Sequence, residues 1–246
     1  MLNKRNSRSK AARPNARTCF DTEQEAFWAG EFGDDYTQRN VGAQWVASNL
    51  ALFAKVLART ENVRSVLELG ANLGLNLRAL RQLLPKADLS AVEINAKAVA
   101  ELRRLGGIAV HHMSLLDFQP TNPSDFVLIK GVLIHLSPDK LPHVYDLMHA
   151  ASAHYICLAE YYNPSPVEWR VGFVMLDICL AEYYNPSPVA IPYRGHTDRL
   201  FKRDFAGELL KRHADLRLVD YGFVYHGDPN HPQDDLTWFL LEKRPG

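Results

Sequence analysis

Two carboxylates and the tight turn beside the first of them carry the chemistry that this sequence shows. Glu68 follows the apolar residues Val66 and Leu67, and the chain then runs Leu69-Gly70-Ala71-Asn72-Leu73-Gly74 into a new apolar pattern. An apolar run that turns at once into a helical pattern reads as a buried strand, a sharp turn and a helix. Gly70 and Gly74 permit the turn and let backbone amides approach a ligand closely. About two dozen residues further on, a second apolar run over 89–94 ends in Glu93-Ile94. In nucleotide-binding strand–helix–strand units a carboxylate at about that spacing accepts hydrogen bonds from ribose hydroxyls. Together these features predict a nucleoside-bearing cofactor at the carboxyl ends of a parallel sheet.

The turn is not the Gly-x-Gly-x-x-Gly of a dinucleotide site, because Asn72 stands where the middle glycine would bring backbone against a pyrophosphate. Its pattern, acid-x-Gly-x-x-x-Gly, resembles the first motif of Rossmann-like methyltransferases. The resemblance implies S-adenosylmethionine, a cofactor with an amino-acid tail and no phosphate. An NAD-dependent oxidoreductase is the competitor at the level of fold.

The elements that must hold this site follow from periodicity. Strands are expected at 65–69, 89–94, 108–111, 126–130 and 155–160, with helices near 73–84, 95–105 and 138–151 between them. Residues 18–60 read as a helical N-terminal extension anchored by Phe20, Phe27, Trp28, Phe32, Trp45, Leu50 and Phe53. A strand pair at 216–225 and 236–242 closes the pattern. Five strands alternating with helices, then a pair, predict an α/β domain. It is a Rossmann-like seven-stranded methyltransferase sheet with an antiparallel last strand and helices on both faces.

The 246 residues suit one such domain over 18–246, with a core of ample size. Residues 1–17 hold Lys4, Arg5, Arg8, Lys10, Arg13 and Arg17 and no acid, and read as a disordered basic tail. Setting those six aside leaves 22 basic against 28 acidic residues, so the body has no basic surface for nucleic acid. No apolar run reaches the roughly 20 residues of a membrane span, and the N-terminus lacks the apolar core of a secretory signal. Cys19, Cys157 and Cys179 form no Cys-x-x-Cys pair, which points to a reducing compartment and no zinc site.

One feature breaks the simple domain. The segment 156–167, Ile-Cys-Leu-Ala-Glu-Tyr-Tyr-Asn-Pro-Ser-Pro-Val, recurs identically at 178–189. Two copies are too few for a solenoid. The duplication at 156–189 gives two identical segments that compete for one strand position, one as the fifth strand and the other as an added strand or surface excursion.

The chain also resembles the pseudaminic acid biosynthesis-associated methylases. The residues that carry the likeness are Phe27-Trp-Ala-Gly-Glu-Phe-Gly-Asp-Asp-Tyr36 with Arg39 and Asn40, the cofactor turn, and Val127-Leu-Ile-Lys-Gly-Val-Leu-Ile-His135. Further on come the Ala-Glu-Tyr-Tyr-Asn-Pro-Ser-Pro-Val segment, residues 192–207 beginning Pro-Tyr-Arg-Gly-His, and Tyr221-Gly-Phe-Val-Tyr-His226. The family carries the Tyr-Tyr-Asn-Pro segment once, so either copy is open as the one that lines the pocket. The resemblance implies a cytoplasmic methyltransferase acting on a small polar, anionic acceptor such as a nonulosonic acid sugar or its nucleotide-linked precursor.

Roles follow for individual residues. Glu68 and Gly70 would place the methionine end of the cofactor, with Asn72 and Gly74 shaping the turn. Glu93 would hold the ribose and Ile94 would pack on the adenine, which Ser114 and Leu115 would also meet after the third strand. Lys130 and Gly131 would sit beside the sulfonium, and Tyr36 and Arg39, with Asp34 and Asp35, would belong to a lid. Methyl transfer to a hydroxyl is helped by a base, and His135 is the candidate. Glu160 with Tyr161, or Glu182 with Tyr183, would position the acceptor. Arg194, His196, Arg199 and His226 would bind its anionic group, since arginine suits carboxylate and phosphate. No metal is expected: His226 to Asp235 reads as a hairpin loop, and His111-His112 as a strand end. Two alternatives keep the cofactor: intramolecular cyclisation releasing methylthioadenosine, and non-catalytic binding with a duplicated segment blocking the pocket.

Overall fold

The computed structural model describes residues 20–39, 42–161, 189–190 and 200–244. The basic tail, Cys19, Cys179 and most of the second repeat copy lie outside them. The N-terminal extension is three helices, α1 (Glu23–Ala29), α2 (Glu31–Arg39) and α3 (Ala43–Leu57). Thr22 starts α1 through a reciprocal capping box with Glu25. The alternating part then runs β1 (Ser65–Leu69), α4 (Leu75–Leu83), β2 (Asp88–Glu93), α5 (Ala96–Leu105), β3 (Ile108–His112), β4 (Ser124–Lys130), α6 (Leu141–Ala151) and β5 (Ser152–Tyr161). A short 3-10 turn, Leu133–His135, follows β4. A two-stranded ribbon of β6 (Val189–Ala190) and β7 (Phe201–Lys202) precedes α7 (Phe205–Arg212), β8 (Leu216–Val224) and β9 (Leu236–Lys243).

The seven-stranded sheet has the order β3-β2-β1-β4-β5-β9-β8. β1 to β5 pair in parallel, and β9 runs antiparallel to both β5 and β8. Strand alternation sorts the side chains into two cores. Val66, Phe126, Leu128 and Cys157 face α3 and α4; Leu67, Leu69, Val127, Ile129 and Ile156 face α6 and α7. Helices therefore cover both faces, which is why β1 and β4 are near-continuous apolar runs. The helix α7 is not visible in the strand–helix alternation. It is eight residues long with Gly207 inside it, and Asp204 caps it by accepting from the Gly207 amide at 2.8 Å.

Among the described residues no helix is long and apolar enough to cross a membrane. Cys157 is buried in β5, and burial pushes its thiol up to about 12, so it is an inert core residue. At the outer edge, β8 leaves Leu218, Tyr221 and Phe223 exposed, and Tyr225 just after it is exposed too.

Candidate functional site

The carboxyl ends of β1, β2 and β4 open onto a cavity of about 210 Å3 roofed by α1 and α2. The turn after β1 is built from left-handed residues: Gly70 (φ 77°), Asn72 (φ 46°) and Gly74 (φ 72°). A Cβ on Gly70 would stand 2.6 Å from Val132 Cγ2, so only glycine lets the β1 and β4 turns touch. Glu93, at the end of β2, lines the cavity. Its Oε2 accepts from the Asn72 amide at 2.7 Å and its Oε1 from the Asn95 amide at 2.8 Å. The Ile94 amide also bonds to this carboxyl, and of the roughly four acceptor sites of a carboxylate about one is left for a ligand. The turn's own amides are spent: Gly70 and Ala71 donate to Val92 O, Asn72 to Glu93, and Gly74 to Ala71 O. The sequence-based expectation that these amides meet a ligand does not hold for those four.

The roof is latched at three points. Glu25 of α1 accepts from the Ser114 hydroxyl through Oε1, while its Oε2 accepts from the Thr22 amide and hydroxyl. Asn95 caps α5 with its carbonyl oxygen and donates through Nδ2 to Asp34 Oδ1 at 2.9 Å and to Trp28 O at 3.3 Å. Lys97 pairs with Asp34 at 2.8 Å, and that pairing, first of all, holds the Asp34 carboxyl below the usual range. Gly33 makes the fit possible, because a Cβ there would overlap the Trp28 carbonyl and crowd Asn95 Nδ2. Glu25, Trp28, Gly33 and Asn95 are cavity residues that the sequence analysis did not assign. The capping-box spacing of Thr22 and Glu25 was the one signal available for Glu25.

The opposite end of the cavity is polar. Asn49 Oδ1, from α3, accepts from Lys130 Nζ and from Gln233 Nε2, both at 3.3 Å. Burial lowers the Lys130 ammonium, and Asp234, Glu68 and Glu160 act the other way. Asp234 lines the cavity and its Oδ2 accepts from the Tyr161 hydroxyl at 2.6 Å. Gln233 and Asp234 come from the β8–β9 connection. Among the described residues around this cavity, the Trp28 indole N–H, Asn76 Oδ1, Glu68 Oε2 and Glu160 Oε2 are buried with no hydrogen-bond partner.

No family model matches the chain, and no curated protein matches it. Solved structures do. One is the Burkholderia thailandensis 1,6-didemethyltoxoflavin N1-methyltransferase with bound 1,6-didemethyltoxoflavin and S-adenosylhomocysteine: 17% identity, 95% of each chain covered, TM-score 0.62. A second is the N-methyltransferase NodS of Bradyrhizobium japonicum, in complex with S-adenosylhomocysteine (14%; 90% of this chain and 97% of that one; 0.58). A third is an amino pentose methyltransferase of Micromonospora echinaspora with bound S-adenosylmethionine (12%; 86% and 96%; 0.54). The chain has the class I methyltransferase fold. The seven strands and the antiparallel β9 are those expected from the sequence.

Within this methyltransferase fold, Tyr36, Gly70, Asn72, Glu93, Ile94, Ser114, Leu115, Lys130, Gly131 and His135 line one cavity. Other expectations are corrected. Glu68 lies beneath the floor, 1% exposed, and accepts from Asn76 Nδ2 at 2.6 Å; burial pushes its carboxyl up to about 8. Gly74 packs on Leu102 and opens α4 rather than lining the cavity. Arg39 lies over the rings of Phe32 and Tyr36, outside the lining. Glu160 is outside the lining and 5% exposed; its Oε1 accepts from the amides of Val132 and Leu133 at 3.1 and 3.0 Å, and its Oε2 is buried with no partner. It holds the turn after β4. Tyr161 reaches the site through Asp234. His226 is exposed and paired with Asp235 at 2.8 Å, while the loop sends Gln233 and Asp234 inward instead. Glu182, Tyr183, Arg194, His196 and Arg199 lie outside the described residues.

Away from the cavity, His149, His213 and Asp215 bring one ligand atom each within 4.8 Å of one another. The two imidazoles stack with centroids 4.1 Å apart and planes 4° from parallel. The in-plane lone pairs of parallel rings do not converge on a point, and His149 is already bound to Asp215 at 2.8 Å.

Proposed function

We propose that this protein is an S-adenosylmethionine-dependent methyltransferase acting on a small polar, anionic acceptor, with nonulosonic acid sugars and their precursors first in order. The observation that carries the cofactor assignment is the Glu93 cradle. Its carboxylate is fixed by the amides of Asn72, Ile94 and Asn95 with some acceptor capacity left over, beside a turn whose amides at Gly70, Ala71, Asn72 and Gly74 donate within the protein. Ribose hydroxyls suit such a carboxylate, and a pyrophosphate needs the amides that this turn has spent. The unpaired Trp28 indole and Asn76 carbonyl offer a donor and an acceptor at the same cavity, so the residues fit a nucleoside with a polar tail.

When bound, S-adenosylmethionine supplies a methyl group on positively charged sulfur. Glu93 would hold the ribose, Ile94, Met113 and Leu115 the adenine, and Gly70 and Lys130 the amino-acid end. Roofed by α1 and α2, the cavity would exclude water and align the acceptor. The family resemblance supports the sugar-acid acceptor, and the polar end around Lys130 agrees with it in chemistry.

The test is incubation of the purified protein with S-adenosylmethionine, alone and with a panel of nonulosonic acids, sugar acids and nucleotide sugars. Nucleoside products are read by mass spectrometry. S-adenosylhomocysteine that forms only with an acceptor is the expected result. Methylthioadenosine formed without one would replace methyl transfer by cyclisation.

A further inference from the structure

The register of the sheet divides the cavity into two ends. Glu93 ends β2 and Ser114 follows β3, whereas Lys130 ends β4 and Tyr161 ends β5; β1 lies between the two pairs. A nucleoside held at Glu93 leaves the β4–β5 end for the acceptor. Among the described residues, two amides stand at that end, Asn49 and Gln233, each only 3% exposed, and one carboxylate at the mouth, Asp234. Buried amides are retained where they are bonded, and these converge on the cavity from α3 and from the β8–β9 connection.

Resting on the methyltransferase reading, we propose that Asp234 is the catalytic base at the acceptor end, held in position by the Tyr161 hydroxyl. The acceptor oxygen or nitrogen forms a bond to the methyl carbon as the carbon–sulfur bond breaks. The electron pair of the broken bond stays on sulfur, and the acceptor's proton passes to an Asp234 carboxylate oxygen and on to solvent. The other candidates are placed for other work. Glu160 lies outside the cavity lining and is bonded to the turn after β4, and burial pushes it up to about 8. His135 is buried under the roof with its ring centroid 4.6 Å from that of Trp28. Asp234 combines contact with the cavity, a single orienting donor at 2.6 Å and access to water for the departing proton.

The experiment compares Asp234→Asn, Asp234→Glu and Tyr161→Phe with the parent, all as full chains. S-adenosylhomocysteine binding by calorimetry comes first, and is expected to change by less than about twofold, since neither Asp234 nor Tyr161 is among the residues assigned to hold it. Turnover is then measured on the panel member that the parent methylates. For Asp234→Asn we expect kcat to fall about 100-fold or more with KM within about fivefold, and the acidic limb of the pH profile to vanish. Asp234→Glu restores part of kcat, and Tyr161→Phe loses an intermediate amount. An Asp234→Asn variant that turns over near the parent rate with the same pH profile overturns the proposal, and so does one that loses S-adenosylhomocysteine binding. A parent that binds no S-adenosylmethionine, or methylates nothing on the panel, overturns the methyltransferase reading and this proposal with it. The parent alone decides that case, so the two failures are distinguishable.

Discussion

Glu160 shows how one buried carboxyl can serve as backbone scaffolding. Burial raises its pKa from 4.5 to about 8 despite the Leu133 and Val132 amides that favour its charged form. A raised folded pKa means a stability contribution that is complete below the unfolded value of 4.5 and is lost as the pH rises through 8. Glutamine keeps an oxygen for both amides and has no proton to lose. Glu160→Gln should therefore gain stability over the parent between about pH 5 and pH 9, by a few kcal/mol, since each pH unit between the unfolded and folded pKa is worth about 1.4 kcal/mol. Urea denaturation of both proteins at several pH values reads the difference, and a constant difference would contradict the assignment. Glu160→Ala strands two buried N–H groups, at a cost of about 2–5 kcal/mol. The sequence placed Glu160 and Tyr161 together in one role. What separates the pair is their distant partners, the Val132 and Leu133 amides for Glu160 and Asp234 for Tyr161, which a single sequence does not state.

At the scale of elements, the roof is where reading the sequence fell shortest. The aromatic anchors Trp28 and Phe32 and the helical character of 18–60 were legible as apolar spacing, as were the strands, because both are local patterns. Glu25, Gly33 and Asn95 were not, since Glu25 meets Ser114 across 89 positions and Asn95 meets Asp34 across 61. Polar latches between distant segments leave no periodic trace. They also make a prediction for the α1–α2 pair. Gly33→Ala pushes α2 off Trp28 and Asn95 without touching the sheet. S-adenosylhomocysteine affinity should drop about tenfold or more, equivalent to roughly 1.4 kcal/mol. The thermal midpoint should stay within about 4 °C, as expected when the core is intact. Calorimetry and thermal denaturation of the same preparation check both halves, and unchanged affinity would detach the roof from the site.

For the whole molecule, the open question is the repeated segment. β5 uses every apolar residue of the first copy up to Tyr161, with Ile156 and Leu158 in one core and Cys157 and Ala159 in the other. Deleting residues 168–189 joins Val167 to Ala190, so the first copy's valine inherits the β6 position that Val189 holds opposite Lys202. The shortened chain is expected to fold with the same circular dichroism and to bind S-adenosylhomocysteine within about threefold of the parent, less than about 0.7 kcal/mol of change. Failure to fold would make the extra copy part of the architecture. The seven-stranded sheet itself was readable from the alternation of patterns. The helix α7 was not, because eight residues with an internal glycine make little periodic signal.

The place of β9 has a consequence for how the protein is made. It is the last strand in sequence, yet it lies between β5 and β8 and supplies the only neighbour that β8 has among the described strands. During synthesis the first five strands can assemble in order, but the free side of β5 and the whole of β8, with its exposed Tyr221 and Phe223, wait for residues 236–243 to be translated. A growing chain at that stage presents open strand edges beside aromatic side chains, the combination that chaperones cover and that aggregates use. A ribosome that stalls or terminates shortly before β9 therefore releases a sticky polypeptide instead of a slightly shorter enzyme.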